Sequence, residues 1–104
     1  MSEIELRHAD SDAEIAACFP VMVQLRPHLI DATELTTRVG RQREAGYRIL
    51  AAWRGRAPIA LAGYRVEENL IHGRFLYVDD LVTATSERST WLGGRLLSPH
   101  SAAL

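Results

Sequence analysis

The chain has a single cysteine, Cys18, so it can form no intrachain disulfide, and a lone thiol fits a reducing, cytoplasmic setting. Cys18 falls in an apolar helical pattern and reads as a buried helix residue. No apolar run approaches the roughly 18 residues of a membrane-spanning helix. The N-terminus MSEIELRHAD lacks a basic segment followed by an apolar run, so no signal peptide is visible. Neither sign of charge dominates. A net charge of −1 argues against bulk electrostatic binding to nucleic acid or to an anionic membrane. The histidines His8, His28, His72 and His100 form no pair with metal-ligand spacing, so no metal site is expected. Internal repeats and low-complexity segments are absent, and 104 residues suit one small domain.

What is present reads as β-α-α-β-β-β-α. Ile4 and Leu6 alternate with Glu3, Glu5 and Arg7, the pattern of a short strand with one apolar face. Ser11-Asp12-Ala13-Glu14 has capping-box spacing, so a helix should start near Asp12. Ile15, Cys18, Phe19, Met22 and Leu25 form its apolar stripe. Pro20 lies inside the stripe and should kink the helix or divide it into two pieces, and Pro27 should stop it. Asp31 or Thr33 caps a second helix reaching to about Ala45, with few apolar positions beyond Leu35 and Val39. Such a helix lies on a surface or covers a cleft, and Gly46 is placed to end it in a left-handed cap. Arg38, Arg41, Arg43 and Arg48 make a basic patch around it. Tyr47 to Trp53 and Ile59 to Val66 read as strands joined by a turn over Arg54 to Pro58. A second turn lies around Asn69 or Gly73, with Leu70 and Ile71 extending a hairpin arm. Short links imply antiparallel pairing.

The rest of the chain reads as support for Phe75 to Leu97, FLYVDDLVTATSERSTWLGGRLL. Phe75 to Thr83 reads as a strand, Ala84 to Glu87 as a turn, and Arg88 to Leu97 as a short helix entered through a Gly-containing loop. A strand, a loop and a helix N-terminus together make an anion site suited to a diphosphate. Each face of the strand runs apolar, acidic, apolar. A β-bulge near Asp79 or Asp80 relieves this conflict. An ordinary strand end with two solvated aspartates is the alternative.

VDDLVTATSERSTWLGGRLL resembles motif A of the GNAT family of N-acetyltransferases, in which a fourth strand is followed by Gln/Arg-x-x-Gly-x-Gly/Ala and a helix. The slots here are Arg88, Ser89, Thr90, Trp91, Leu92 and Gly93, with Gly94 next. YRVEENLIHGRFLYVDDL is similar to the preceding two strands of bacterial members, and QLRPHL to their first helical region. The resemblance spans roughly residues 3 to 97. Two departures stand out. Trp91 fills a slot that is normally glycine, where a Cβ would obstruct close approach of the backbone to a pyrophosphate. The family domain also continues past this helix, whereas the chain stops at SPHSAAL. The expectation is therefore a partial domain over residues 1–97, truncated after motif A, with a non-family tail over 98–104.

The resemblance implies an acyl-CoA N-acyltransferase-like α/β (α+β) fold. Its mostly antiparallel sheet would have about four strands, with two N-terminal helices and one short C-terminal helix. It implies acetyl-CoA as co-substrate, no metal, and transfer of an acetyl group to a small amine or a protein amine. The pantetheine arm would lie along the backbone of Leu81, Val82 and Thr83, and the pyrophosphate on the loop from Arg88 to Gly94. Asp79, Asp80 and Tyr77 lie where the acceptor should enter, and either carboxylate is a candidate for deprotonating an ammonium directly or through water. Structural duty in bulge, turn or core is the alternative for each of the three. The Phe75 to Thr83 strand would be an exposed edge, a template for pairing with another chain, so a homodimer or higher oligomer is expected. The alternative function is a non-catalytic module that keeps the fold, dimerises and holds CoA without turnover.

Overall fold

The computed structural model describes residues 3–85. The final helix expected over Arg88 to Leu97 lies outside them. The elements are β1 (Ile4–His8), α1 (Asp12–Ala17), α2 (Phe19–Leu25), α3 (Ala32–Gln42), a 3₁₀ turn (Arg43–Ala45), β2 (Arg48–Arg54), β3 (Ala57–Asn69) and β4 (Gly73–Thr83). The strands form an antiparallel sheet in the order β1-β2-β3-β4. This is the α+β architecture expected.

Local sequence sets most boundaries. Ser11 accepts from the Glu14 amide, and the Glu14 carboxylate accepts from the Ser11 amide, closing the capping box at α1. Pro20 divides the first helical stretch. It sits in the first turn of α2, where its missing N–H costs no helical bond, and Cys18 serves as the joint between α1 and α2. Asp31 caps α3 by accepting from the Glu34 amide at 2.8 Å. The second helix ends earlier than Ala45, tightening into the 3₁₀ turn, and Gly46 takes the left-handed conformation at φ 88°.

Three expectations at the hairpins need correction. Ala57 and Pro58 belong to β3 rather than to the turn. The β2–β3 register shifts beside Pro58, pairing Ala52 with Ala60 and Trp53 with Pro58, and a proline is tolerated next to such a bulge. Strand β3 also runs past Val66 to Asn69. Leu70 and Ile71 sit in the tip rather than in the arms. There the Asn69 carboxamide oxygen accepts from the Ile71 and His72 amides, a local bond that competes with strand pairing.

All three α-helices pack on one face of the sheet. Ile15, Cys18, Val21, Met22, Leu35 and Val39 from the helices join Ile49, Ala51, Trp53, Leu61 and Val82 from the strands in one core cluster. A second cluster, on the opposite face, contains Leu50, Ala52, Ala60, Ala62 and Tyr64. Beyond Tyr64 the β3–β4 hairpin outruns β2 and projects as a two-stranded arm. No helix among the described residues is long and apolar enough to cross a membrane.

Candidate functional site

The site is built on the bulge in β4. Gly63 pairs with Asp80 and Tyr64 with Val78, so Asp79 is the extra residue. An added residue turns every side chain on one side of it to the other face. Val78 therefore packs with the Ala62 and Tyr64 cluster, while Val82 joins the helix-side core. Asp80, paired opposite Gly63, also faces the helices. Without the bulge, Val78, Asp80 and Val82 would share one face.

Asp80 is held from two directions. Its Oδ2 accepts from the Tyr47 hydroxyl at 2.8 Å, and its Oδ1 accepts from Arg26 Nε at 2.9 Å. Arg26 Nη2 also donates to the Asp79 carbonyl oxygen at 3.1 Å, which ties α2 to the bulged backbone. Arg26 reaches this position because it precedes Pro27. A pre-proline residue is pushed out of helical geometry, and Arg26 ends α2 at φ −121° and ψ 72°. Tyr47 follows the left-handed Gly46 and crosses β3 at Gly63. A Cβ on Gly63 would lie 2.6 Å from Tyr47 Cζ, 2.9 Å from Cε1 and closer still to the hydroxyl, so glycine is what gives the ring its room. Burial, reinforced by the Asp80 carboxylate, pushes the Tyr47 phenol far above its ordinary pKa. It therefore stays protonated and acts as a donor.

Asp79 has a different environment. Both of its oxygens accept from Arg65, from Nε and Nη2, each at 2.9 Å. Arg65 also pairs with Glu67 at 2.8 Å and stands 5.1 Å from the centre of the Tyr77 ring. This cluster belongs to the projecting arm.

A pocket of about 230 Å³ opens between α2, α3 and the bulge. Met22, Leu29, Leu35 and Val39 make its apolar wall. Arg26, His28, Arg38, Gln42, Tyr47 and Asp80 supply the polar groups. Leu35, Arg38, Val39 and Gln42 are spaced three and four apart, so they share one face of α3. The reading of α3 as a cleft-covering helix is realised here.

Of the residues singled out from sequence, Asp80 lines the pocket. Asp79 is its neighbour, turned to Arg65, and Tyr77 is half-exposed beside Arg65 on the arm. Leu81, Val82 and Thr83 follow the bulge directly, on the strand at the sheet edge among the described residues. Arg88, Ser89, Thr90, Trp91, Leu92, Gly93 and Gly94 lie outside the described residues. Sequence reasoning missed Arg26 and Tyr47 as site residues. The arginine fixed before Pro27 was a usable signal; Tyr47 had none, because its partner is 33 residues away. Among the described residues, no group of three His, Cys, Asp or Glu side chains is placed to hold a metal ion.

No family model matches the chain, and no curated protein matches it. Solved structures do. An acetyltransferase from Trypanosoma brucei superposes with a TM-score of 0.74 at 18% identity, covering 90% of this chain and 69% of that one. Glucosamine-6-phosphate N-acetyltransferase from Arabidopsis thaliana superposes with a TM-score of 0.72 at 15% identity, covering 90% and 69%. The chain has the acyl-CoA N-acyltransferase fold. An integron cassette protein from the mobile metagenome of V. cholerae is also similar, with a TM-score of 0.72 at 17% identity, covering 89% of this chain and 62% of that one. At these identities it is the acyltransferase fold that is shared. Within it, the bulge, its two aspartates and the pocket over α3 are features of this chain's own residues.

Proposed function

We propose that the chain is an acetyl-CoA-dependent N-acetyltransferase acting on an amine. One observation carries this reading: the bulge turns Asp80 into the pocket immediately before the strand-edge stretch Leu81 to Thr83. A peptide-like pantetheine arm suits such an edge, which would set its thioester near the pocket floor. The loop from Arg88 to Gly94 would receive the pyrophosphate.

Acetyl-CoA would supply the acyl group as a thioester. The ammonium nitrogen forms the new C–N bond and loses two protons, one released to water beside Asp80 before attack and one taken up by the departing thiolate as the C–S bond breaks. In this proposal Asp80 orients the incoming ammonium and draws on its charge. Each carboxylate oxygen already accepts one protein hydrogen bond and keeps a second lone pair for the ligand. Tyr47 and Arg26 hold the carboxylate at a fixed angle. Asp79 and Tyr77 contribute by shaping the bulge and its arm.

A second reading is a module of this fold that binds CoA or dimerises without turnover. It is favoured by the engagement of all four carboxylate oxygens of Asp79 and Asp80 with protein donors. Pairing of two copies through the Phe75 to Thr83 edge would use residues 75–78, clear of the proposed pantetheine stretch. Cys18, free and buried, fits a cytoplasmic location.

The test is acetyl-CoA binding by calorimetry on the full chain and on Trp91→Gly. It is paired with release of free thiol when amines are added, and with light scattering for mass. Saturable binding and amine-dependent thiol release support the enzyme. Binding or a dimer mass without thiol release supports the module, and silence from both chains together with a monomer mass refutes both readings.

A further inference from the structure

We infer that the pocket over α3 selects a small amine that also carries an anionic group, a carboxylate or a phosphate. The inference rests on the transferase reading for the fate of the amine, but the charge layout of the pocket stands without it. Among the described lining residues there are two guanidiniums, Arg26 and Arg38, and one carboxylate, Asp80. Arg26 is committed to Asp80 through Nε at 2.9 Å and to the bulge backbone, so these two charges offset each other.

Arg38 is the charge left over. Its partner is Glu34, one turn back on α3, at 3.4 Å, and the Arg38 side chain is 43% exposed. Glu34 is itself occupied, since its Oε1 accepts from the Ile30 amide at 2.7 Å. A long, exposed pair of this kind contributes little and yields readily to a better acceptor. A planar guanidinium also suits both a carboxylate and a phosphate. His28 and Gln42 add donors in the same pocket. Asp80 presents the opposite chemistry from the sheet, with lone pairs for an ammonium.

An acceptor with an ammonium at Asp80 and an anion at Arg38 satisfies both groups, and the apolar wall of Leu35 and Val39 takes the carbon skeleton between them. The volume of about 230 Å³ limits its size. One water occupies about 30 Å³ of liquid, so the guest is a molecule of roughly eight non-hydrogen atoms rather than a folded segment.

The experiment titrates the full chain, followed by ¹H–¹⁵N NMR, with γ-aminobutyrate, 2-aminoethyl phosphate, butylamine, butyrate and a capped lysine dipeptide. We expect one or both zwitterionic amines to bind at least about tenfold tighter than butylamine or butyrate, the scale of one charge-assisted hydrogen bond. Shifts should centre on Arg38, Val39 and Asp80. Whichever of the two binds better names the anion. Arg38→Gln should remove that preference by weakening the zwitterions without weakening butylamine, while Arg38→Lys should retain part of it. Equal binding of butylamine and the zwitterions overturns the inference, as does a preference that survives Arg38→Gln. Stronger binding of the lysine dipeptide overturns it in favour of a protein acceptor, and absence of binding by every probe also overturns it. Acetyl-CoA is titrated separately. Loss of that binding with an intact Arg38-dependent preference would sink the transferase reading alone, and the reverse outcome would sink this inference alone.

Discussion

Replacing Gly63 by alanine sets two physical effects against each other. Gly63 lies in the middle of β3 without a left-handed backbone, so backbone entropy alone predicts that alanine stabilises the strand by about 0.5–1 kcal/mol. The structure predicts the opposite sign. The new Cβ would stand 2.6 Å from Tyr47 Cζ and 2.9 Å from Cε1, inside van der Waals contact. Tyr47 is 3% exposed and cannot swing out into solvent. Overpacking a core of this kind costs about 1–3 kcal/mol. A shifted ring also loses its hydrogen bond to Asp80, and a bond to a charged group contributes about 1.5–3 kcal/mol. The net destabilisation is about 2–5 kcal/mol, which lowers Tm by more than about 10 °C in a domain of this size. Urea and thermal unfolding followed by circular dichroism measure it. Tyr47→Phe removes the atom nearest the new Cβ, so Tyr47→Phe with Gly63→Ala should lose less than the two single changes added together. A Gly63→Ala chain as stable as the parent would refute the packing argument and, with it, the account of how Asp80 is held.

Asp31→Ala should cost about 1 kcal/mol by removing the cap of α3, with Asp31→Asn close to neutral; the shift of the urea midpoint measures both. Burial, aided by Arg48 and opposed by Asp10, holds the His8 imidazole below its ordinary pKa of 6.5. The unfolded chain therefore takes up that proton first as pH falls through about 6.5, and stability should decline there. His8→Gln should flatten that part of the stability profile, and an unchanged slope would contradict the assignment. Burial pushes the Cys18 thiol up to about 12, so a thiol reagent at pH 8 should leave the folded chain unmodified and label it stoichiometrically in urea. Rapid labelling of the folded chain would show that the α1–α2 joint opens.

Much of this fold was legible in the sequence because its punctuation is local. Ser11 with Glu14, Pro20, Pro27, Asp31 and Gly46 each act through their own backbone or a neighbour a few residues away, and they mark the helix boundaries. The clash of Asp79 and Asp80 with strand alternation was likewise readable as a bulge, since alternation is a property of adjacent residues. The hairpin limits were less legible. Pro58 stands inside a strand because of a register shift with β2, and Leu70 and Ile71 lie in a tip because of the Asn69 side chain.

The sequence by itself determined the element order as far as β4, the helix caps, the conflict in β4 and the resemblance to an N-acetyltransferase motif. Tertiary structure alone decided which aspartate enters the pocket, because bulge register is settled by pairing across strands: Gly63 with Asp80, Tyr64 with Val78. It also decided that Tyr47 and Arg26 serve the site. Each meets Asp80 from 33 or 54 residues away in the chain. Contacts of that span depend on how helices and sheet pack: Pro27 marks where Arg26 leaves its helix, but no spacing in the sequence encodes the partner that either residue meets.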